Sequence, residues 1–330
     1  MKSKKVLITG GAGYVGSRLV ELLVKNSFKV IVYDTFWYRS VLSMKTQFNH
    51  SIECICGDIR DFQKLEKAMA NCSSIIHLAC ISNDPSFDLN PDLGKSINFS
   101  CFEEIVRLSV KSEIKQFIFA SSSSVYGIKE DLNVTEVLPK EPITDYSKFK
   151  SECEEILLNY SDINFCTTIL RPATVCGVSK RQRLDVIVNI LTNHAISDNE
   201  INIFNGPQKR PNIHIDDMCQ AYLEILNADY NIINGQIYNV GSENLTVSDI
   251  ANKVSKITKV DNINIVENND QRSYHISSDK IFQAIGFSPK KTVEDAISDL
   301  QIEFKKNIYT DSLNNELYFN VKFLSNHNIS

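Results

Sequence analysis

Apolar positions over the first 170 residues fall into two alternating patterns. Short, nearly continuous apolar runs occupy 4–9, 29–34, 52–57, 74–79, 116–121 and 165–170. Runs of that length without polar alternation are expected of strands buried on both faces of a parallel sheet. Between the first two, Val15, Leu19, Leu22 and Leu23 fall at i, i+4, i+7 and i+8, one face of a helix. Strand–helix alternation of this kind predicts right-handed crossovers and a doubly wound sheet.

After Pro172 the pattern changes. Runs shorten, Asn-rich loops become frequent, and helix starts are better marked. Thr246-Val-Ser-Asp249 reads as a capping box with Leu245 and Ile250 placed as its staple, and Thr292-Val-Glu-Asp295 reads as a second box. The chain is therefore divided into 1–172 and a smaller mixed α/β domain at 173–330, some of whose segments return to the large sheet. No periodicity is visible after about 307, and that tail stays unassigned.

Length agrees with about two domains. The sequence has 330 residues, 43% of them hydrophobic, and a net charge of −5, which argues against a nucleic-acid partner. No apolar stretch approaches the 18 or so residues needed to span a bilayer. The start, MKSKKVLITGG, has a basic flank, but its apolar run stops at Gly10, so it reads as a strand and not a signal peptide. The nine cysteines, at 54, 56, 72, 80, 101, 153, 166, 176 and 219, form no Cys-x-x-Cys pair, and no metal site is expected. They read as buried, reduced thiols of a cytoplasmic protein.

Two motifs carry chemistry. The segment Gly10-Gly-Ala-Gly13-Tyr14-Val15-Gly16 joins the first strand to the first helix, where glycines permit a tight turn and close approach to a pyrophosphate. A Rossmann-type site follows, with phosphates on the free N–H groups of the helix start. Asp34, ending the second strand, suits ribose hydroxyls and repels an extra phosphate; no arginine directly follows it, so NAD is favoured. Asp58 either holds the adenine amino group or caps a helix. Tyr146-Ser-Lys-Phe-Lys150 places a phenol and an ammonium on one helix face. An ammonium beside it, together with a nicotinamide cation, would have to lower the phenol's pKa by about three units, roughly 4 kcal/mol. A run of four serines, Ser121–Ser124, ends the fifth strand, on the side where ligands of open α/β sheets bind.

Taken together, TGGAGYVG, the strand-end Asp34, GDIRD, HLAC, Asn98, SSSSVYG, YSKFK, LRPATVCG and RPNIHIDD resemble the extended short-chain dehydrogenases/reductases, specifically the NAD-dependent nucleotide-sugar epimerase/dehydratase group. The resemblance implies Ser122 as catalytic hydroxyl, Tyr146 as acid/base, and Lys150 as the residue that binds the nicotinamide ribose and tunes the tyrosine. It implies cofactor contacts from Asp58, Ile59, Leu78, Ala79, Cys80 and Pro172. It implies substrate contacts from Asn98, Ser123, Arg183, Arg210 and Arg272, the last two clamping a nucleotide diphosphate. A homodimer built on helices near 92–111 and 145–160 is implied as well.

Departures from the group narrow the chemistry. Its 4,6-dehydratases carry Asp-Glu after the catalytic Ser/Thr, and its decarboxylases a glutamate; here Ser123 and Ser124 follow. Cys176 stands where tyrosine is usual, and reads as packing. The segment 177–185, with Arg181 and Arg183, is more similar to a branch that includes enzymes of modified or heptose sugars. Its two arginines either grip a phosphate or carboxylate or solvate a helix start. The sequence thus predicts a nucleotide-sugar 4-epimerase using a transient 4-keto sugar. The alternatives are a C4 dehydrogenase or 4-ketosugar reductase on the same fold and, more remotely, a non-catalytic dinucleotide sensor.

Overall fold

A computed structural model describes residues 4–38, 51–129, 131, 133–204, 206–266, 275–327 and 329. Strands β1 (Lys5–Thr9), β2 (Lys29–Asp34), β3 (Ile52–Cys56), β4 (Ser74–His77), β5 (Gln116–Ala120) and β6 (Cys166–Pro172) lie where the apolar runs place them. They alternate with helices α1 (Tyr14–Lys25), α2 (Phe62–Met69), α3 (Phe102–Lys111) and α4 (Asp145–Asn159). The strand order is β3-β2-β1-β4-β5-β6, and every pairing is parallel. The direction of winding reverses between β1 and β4, the switch point at which such sheets open a crevice.

Both faces of the sheet are covered. Val6 and Ile8 of β1 pack with Leu19 and Leu23 of α1, whereas Leu7 joins Leu65, Ile105 and Leu157 on the opposite face. All of these side chains are fully buried, which is why the strands read as unbroken apolar runs.

The second half mixes two allegiances. Helix α5 (Ile187–Asp198), strand β7 (Thr174–Cys176), β8 (Ile201–Phe204) and β9 (Lys209–His214) leave the large sheet. Helix α6 (Ile215–Asn227) then packs on α1 through Met218, Ala221 and Tyr222, and β10 (Gln236–Val240) adds a seventh parallel strand beside β6. Strand β11 (Glu243–Thr246) pairs antiparallel with β9, and β12 (Ile263–Val266) pairs with β8. Helices α7 (Val247–Thr258) and α8 (Val293–Lys305) close a separate core with α5 through Val188, Leu191, Val254 and Ile297. Both start on the capping boxes read from the sequence: Thr246 Oγ1 accepts from Asp249 N at 3.0 Å, and Thr292 Oγ1 from Asp295 N at 3.2 Å. The tail ends in a seven-residue helix, α9 (Asn320–Asn326), which returns to the large domain.

The cysteines are unpaired, and those at 72, 101, 153, 166, 176 and 219 are buried. Cys176 donates its S–H to Ile213 O, and burial pushes its thiol up, consistent with packing. Among the described residues no cluster could hold a metal ion, and no helix is long and apolar enough to cross a membrane.

Candidate active site

A cleft of about 530 Å³ opens beyond the carboxyl ends of the large sheet's strands. The glycine turn forms its floor. Gly10 has φ of +72°, and a Cβ there would come 2.6 Å from Ala79 N; at Gly16 it would come 2.4 Å from Gly10 O. No other residue type allows the turn to lie this close to its neighbours. At Gly13 the nearest atom to such a Cβ, Gly10 O, is 3.2 Å away, and the residue lines the cleft. A backbone cradle of this kind, at a helix start, fits a dinucleotide diphosphate.

The wall around it contains all of the expected cofactor residues: Gly10, Gly13, Tyr14, Val15 and Gly16, then Asp34, Asp58 and Ile59, then Leu78, Ala79, Cys80, Lys150 and Pro172. Asp34 accepts hydrogen bonds from Ala12 N (3.0 Å) and Phe36 N (2.8 Å). Burial pushes its carboxyl up, against the pull of those N–H groups. Burial also pushes Asp58 up, but the fork of Arg60, at 2.9 and 2.6 Å, wins and holds it below the usual range. The helix cap that competed for Asp58 belongs instead to Asp61, which accepts from Lys64 N. The phenol of Tyr14 turns away from the floor, donating to Gly177 O at 2.7 Å.

The catalytic set converges at the end of β5. Ser122 begins a 3₁₀ turn, Ser123–Tyr126, and Thr144 caps α4 with its hydroxyl and backbone, fixing where Tyr146 and Lys150 emerge. The Ser122 hydroxyl lies close enough to the Tyr146 phenol to pull its pKa down. Lys150 is buried; its Nζ donates to Ala120 O at 2.6 Å and lies 5.9 Å from the Tyr146 ring. Burial pushes the phenol well up, and Cys80 and Asp84 add to this, while Arg183 and Ser122 pull it down. In the protein alone, then, Lys150 is directed at a carbonyl and burial governs the phenol.

Not every expected residue reaches the cleft. Asn98 lies in a π-helical turn, Ser96–Ser100, and spans Ile81: its Oδ1 accepts from Ile81 N (2.8 Å) and its Nδ2 donates to Ile81 O (2.9 Å). It shapes the 78–83 loop from behind. Ser123 is buried off the cleft, and Ser124 lines it instead, 2.8 Å from the Ser122 hydroxyl. Ser122 still has extended backbone, and two-residue alternation from there puts Ser124 on its side and Ser123 on the other. Arg183 and Arg210 line the wall; Arg272 lies outside the described residues.

The sequence model described as the NAD dependent epimerase/dehydratase family matches residues 6–241. The chain belongs to this family. It is 26% identical over 321 residues to a UDP-glucose 4-epimerase of Lactobacillus helveticus, covering 89% of this chain and 95% of that protein. A UDP-glucuronic acid 4-epimerase from Bacillus cereus, crystallised with UDP-glucuronic acid and NAD, superposes with a TM-score of 0.82 and 25% identity. That match covers 92% of this chain and 99% of that one. A dTDP-glucose 4,6-dehydratase from Streptomyces venezuelae shares the fold at a TM-score of 0.84 and 20% identity, covering 94% and 99%. This epimerase/dehydratase family member is thus an NAD-dependent enzyme of the nucleotide-sugar type.

Sequence reasoning missed part of the family member's site. Tyr38, Asp185 and Asn320 also line the cleft, as do Ser82 and Leu324, beside the Arg181 singled out from the sequence. Asn320 and Leu324 come from the tail left unassigned. A nonperiodic tail gives no amphipathic signal, and only its three-dimensional partners disclose what it does.

Proposed function

We propose that the chain is a nucleotide-sugar 4-epimerase that works through a transient 4-keto sugar. The observation that supports this is the Ser122–Tyr146–Lys150 set at the mouth of the NAD cradle, with hydroxyls and no carboxylate at the two positions after Ser122. Bound NAD supplies a hydride acceptor and then a hydride donor. The protein's part is to move one proton and hold one oxygen. Tyr146, as phenolate, takes the proton of the C4 hydroxyl and later returns it. Ser122 hydrogen-bonds the same oxygen, and its neighbour Ser124 orients it from 2.8 Å. Lys150 holds the ribose side of the cradle. Burial excludes water from the phenol, so its ionisation depends on the charges gathered around it, Arg183 among them.

Elimination of water needs a second acid/base beside the sugar's C5 and C6. Ser123 and Ser124 do not offer one. The carboxylate that does lie near Tyr146, Asp84, accepts a hydrogen bond from Thr144 Oγ1 at the start of α4.

The test is incubation of the purified protein with UDP-, GDP-, CDP- and dTDP-sugars. Mass-neutral conversion at constant NADH absorbance is expected. Loss of 18 Da would make it a dehydratase, and a two-dalton change with NADH appearing or disappearing would make it a net oxidoreductase. No conversion of any sugar would favour the sensor. Tyr146→Phe is expected to lower turnover about 10²–10⁴-fold, the usual range for a positioned acid/base; unchanged turnover overturns the mechanism.

A further inference from the structure

The loop that carries Arg181 and Arg183 is fastened to the first turn of α1. Ser179 Oγ donates to Tyr14 O at 2.6 Å and lies 2.8 Å from Ser17 Oγ, while Arg181 N donates to Ser17 Oγ at 3.3 Å. That turn is where the glycine cradle presents its N–H groups, and Arg181 and Arg183 line the same cleft.

Both arginines are buried, at 4% and 8% exposure, and each is only partly satisfied. The Arg181 guanidinium stacks 3.7 Å from the Tyr38 ring centroid and donates to Asn320 Oδ1. Arg183 donates through Nε to Asp185 Oδ1 at 2.8 Å and through Nη1 to Ser82 Oγ at 3.4 Å. Among the described residues, Arg181 Nε and Arg183 Nη2 have no hydrogen-bond partner. A buried donor attached to a full charge and left unmade is destabilising unless a ligand completes it.

The carboxylates nearby leave part of both guanidinium groups unbonded. Asp185 is the one carboxylate that bonds these arginines, and its other oxygen accepts from Asn320 N at 2.7 Å. The next carboxylate, Asp34, accepts from the backbone of Ala12 and Phe36. Among the described residues one carboxylate is hydrogen-bonded to the two guanidinium groups, and Asp34 is a further negative neighbour of Arg181. Burial and the neighbouring Arg183 lower the pKa of Arg181 to about 10, which leaves it charged at neutral pH.

We propose that Arg181 and Arg183 form a diphosphate-binding site in the cleft floored by the glycine cradle, buttressed by Asp185 and by Asn320 of helix α9. A diphosphate matches the site in charge, and its oxygens accept from guanidinium forks better than from point charges. Asn320 is a positioning residue: it bonds Arg181, Asp185 and, through Nδ2 at 2.9 Å, Ser82 Oγ, so it sets the spacing of the pair. The inference rests on the functional reading only in assuming that a diphosphate ligand enters the cleft; it does not depend on epimerisation.

The diphosphate could be that of the cofactor or of the sugar nucleotide, and the binding test separates them. The purified chain is titrated with NAD, ADP, UDP and GDP, each nucleotide against its nucleoside, at several salt concentrations. Arg181→Met and Arg183→Met are expected to weaken diphosphate binding about 10–100-fold and leave nucleoside binding unchanged, as for loss of one or two charge-assisted hydrogen bonds. Loss for NAD and ADP alone assigns the cofactor's diphosphate; loss for UDP or GDP alone assigns the substrate's. Arg181→Lys keeps a charge without the fork and is expected to fall between. Asn320→Ala is expected to weaken diphosphate binding with the salt slope retained, whereas the Met variants reduce that slope. Unchanged diphosphate affinity, or equal loss for nucleotide and nucleoside, overturns the proposal. Absence of epimerase turnover would leave these titrations intact, so the two readings fail separately.

Discussion

Two regions bury arginine in opposite ways. Behind β6, Arg171 is fully matched: its Nε and Nη2 fork onto Glu154 at 2.8 and 2.6 Å, and Nη1 donates to the Tyr126 hydroxyl at 2.7 Å. Glu154 also accepts from Ser121, at 2.5 Å, so the pair anchors the strand end that carries Ser122. Across the cleft, Arg181 and Arg183 keep unmade donors although they are nearly as deeply buried. The difference teaches how to tell a structural cation from one held for a ligand. Burial is common to both, and completeness of partners separates them.

Breaking the matched pair should give the largest stability effect. Glu154→Gln leaves Arg171 charged and uncompensated in the core, and a loss of about 3–5 kcal/mol is expected in the denaturant-derived unfolding free energy. A loss below 1 kcal/mol would mean that water reaches the pair.

His77 sharpens the contrast as a third way of burying a base. It lies among Phe102, Phe117 and Phe119, 2.8 Å from Thr9 Oγ1, and burial followed by the charge of Lys150 lowers it to about 3. Below the ordinary value near 6.5 the unfolded chain takes up a proton that the folded ring refuses. Stability therefore falls with pH, by about 1.4 kcal/mol per unit, from 6.5 toward 3. Between pH 6.5 and 5 the wild type should lose about 2 kcal/mol more than His77→Gln. Parallel curves for the two proteins would show that the ring is protonated in the fold.

The smallest change is expected where the partners are fewest. Arg181→Met removes a buried cation with an unmade donor, and stability should stay within about 1 kcal/mol of wild type, or rise, while diphosphate affinity falls. A loss as large as that of Glu154→Gln would place Arg181 in the same class as Arg171.

Much of this was legible because it is local. The strands of the large sheet follow from continuous apolar runs, and α7 and α8 begin on boxes written within four residues. The glycine cradle and the pairing of Tyr146 with Lys150 depend on spacings along one turn or one helix face. What the sequence hid depends on contacts between distant segments. Asn98 carries both an acceptor and donors, and nothing beside it tells that Ile81, and not a ligand, satisfies them. Ser123 and Ser124 are identical in type, and the choice between them follows from the extended backbone at Ser122, which puts Ser124 on its side. That some later segment returns to the large sheet is expected, but that it is β10 beside β6 depends on residues far apart in the chain.

Helix α9 has a consequence for how the site comes into being. Asn320 is 139 residues from Arg181 and 238 from Ser82, whereas the strands of the large sheet are complete by Val240. During synthesis the sheet and its glycine cradle can form while the buttress is still unmade. Closing so long a loop is slow in comparison with the local crossovers before it. Full grip on an anionic ligand would then be the last property the chain acquires, and the first lost to a break in its final twenty residues.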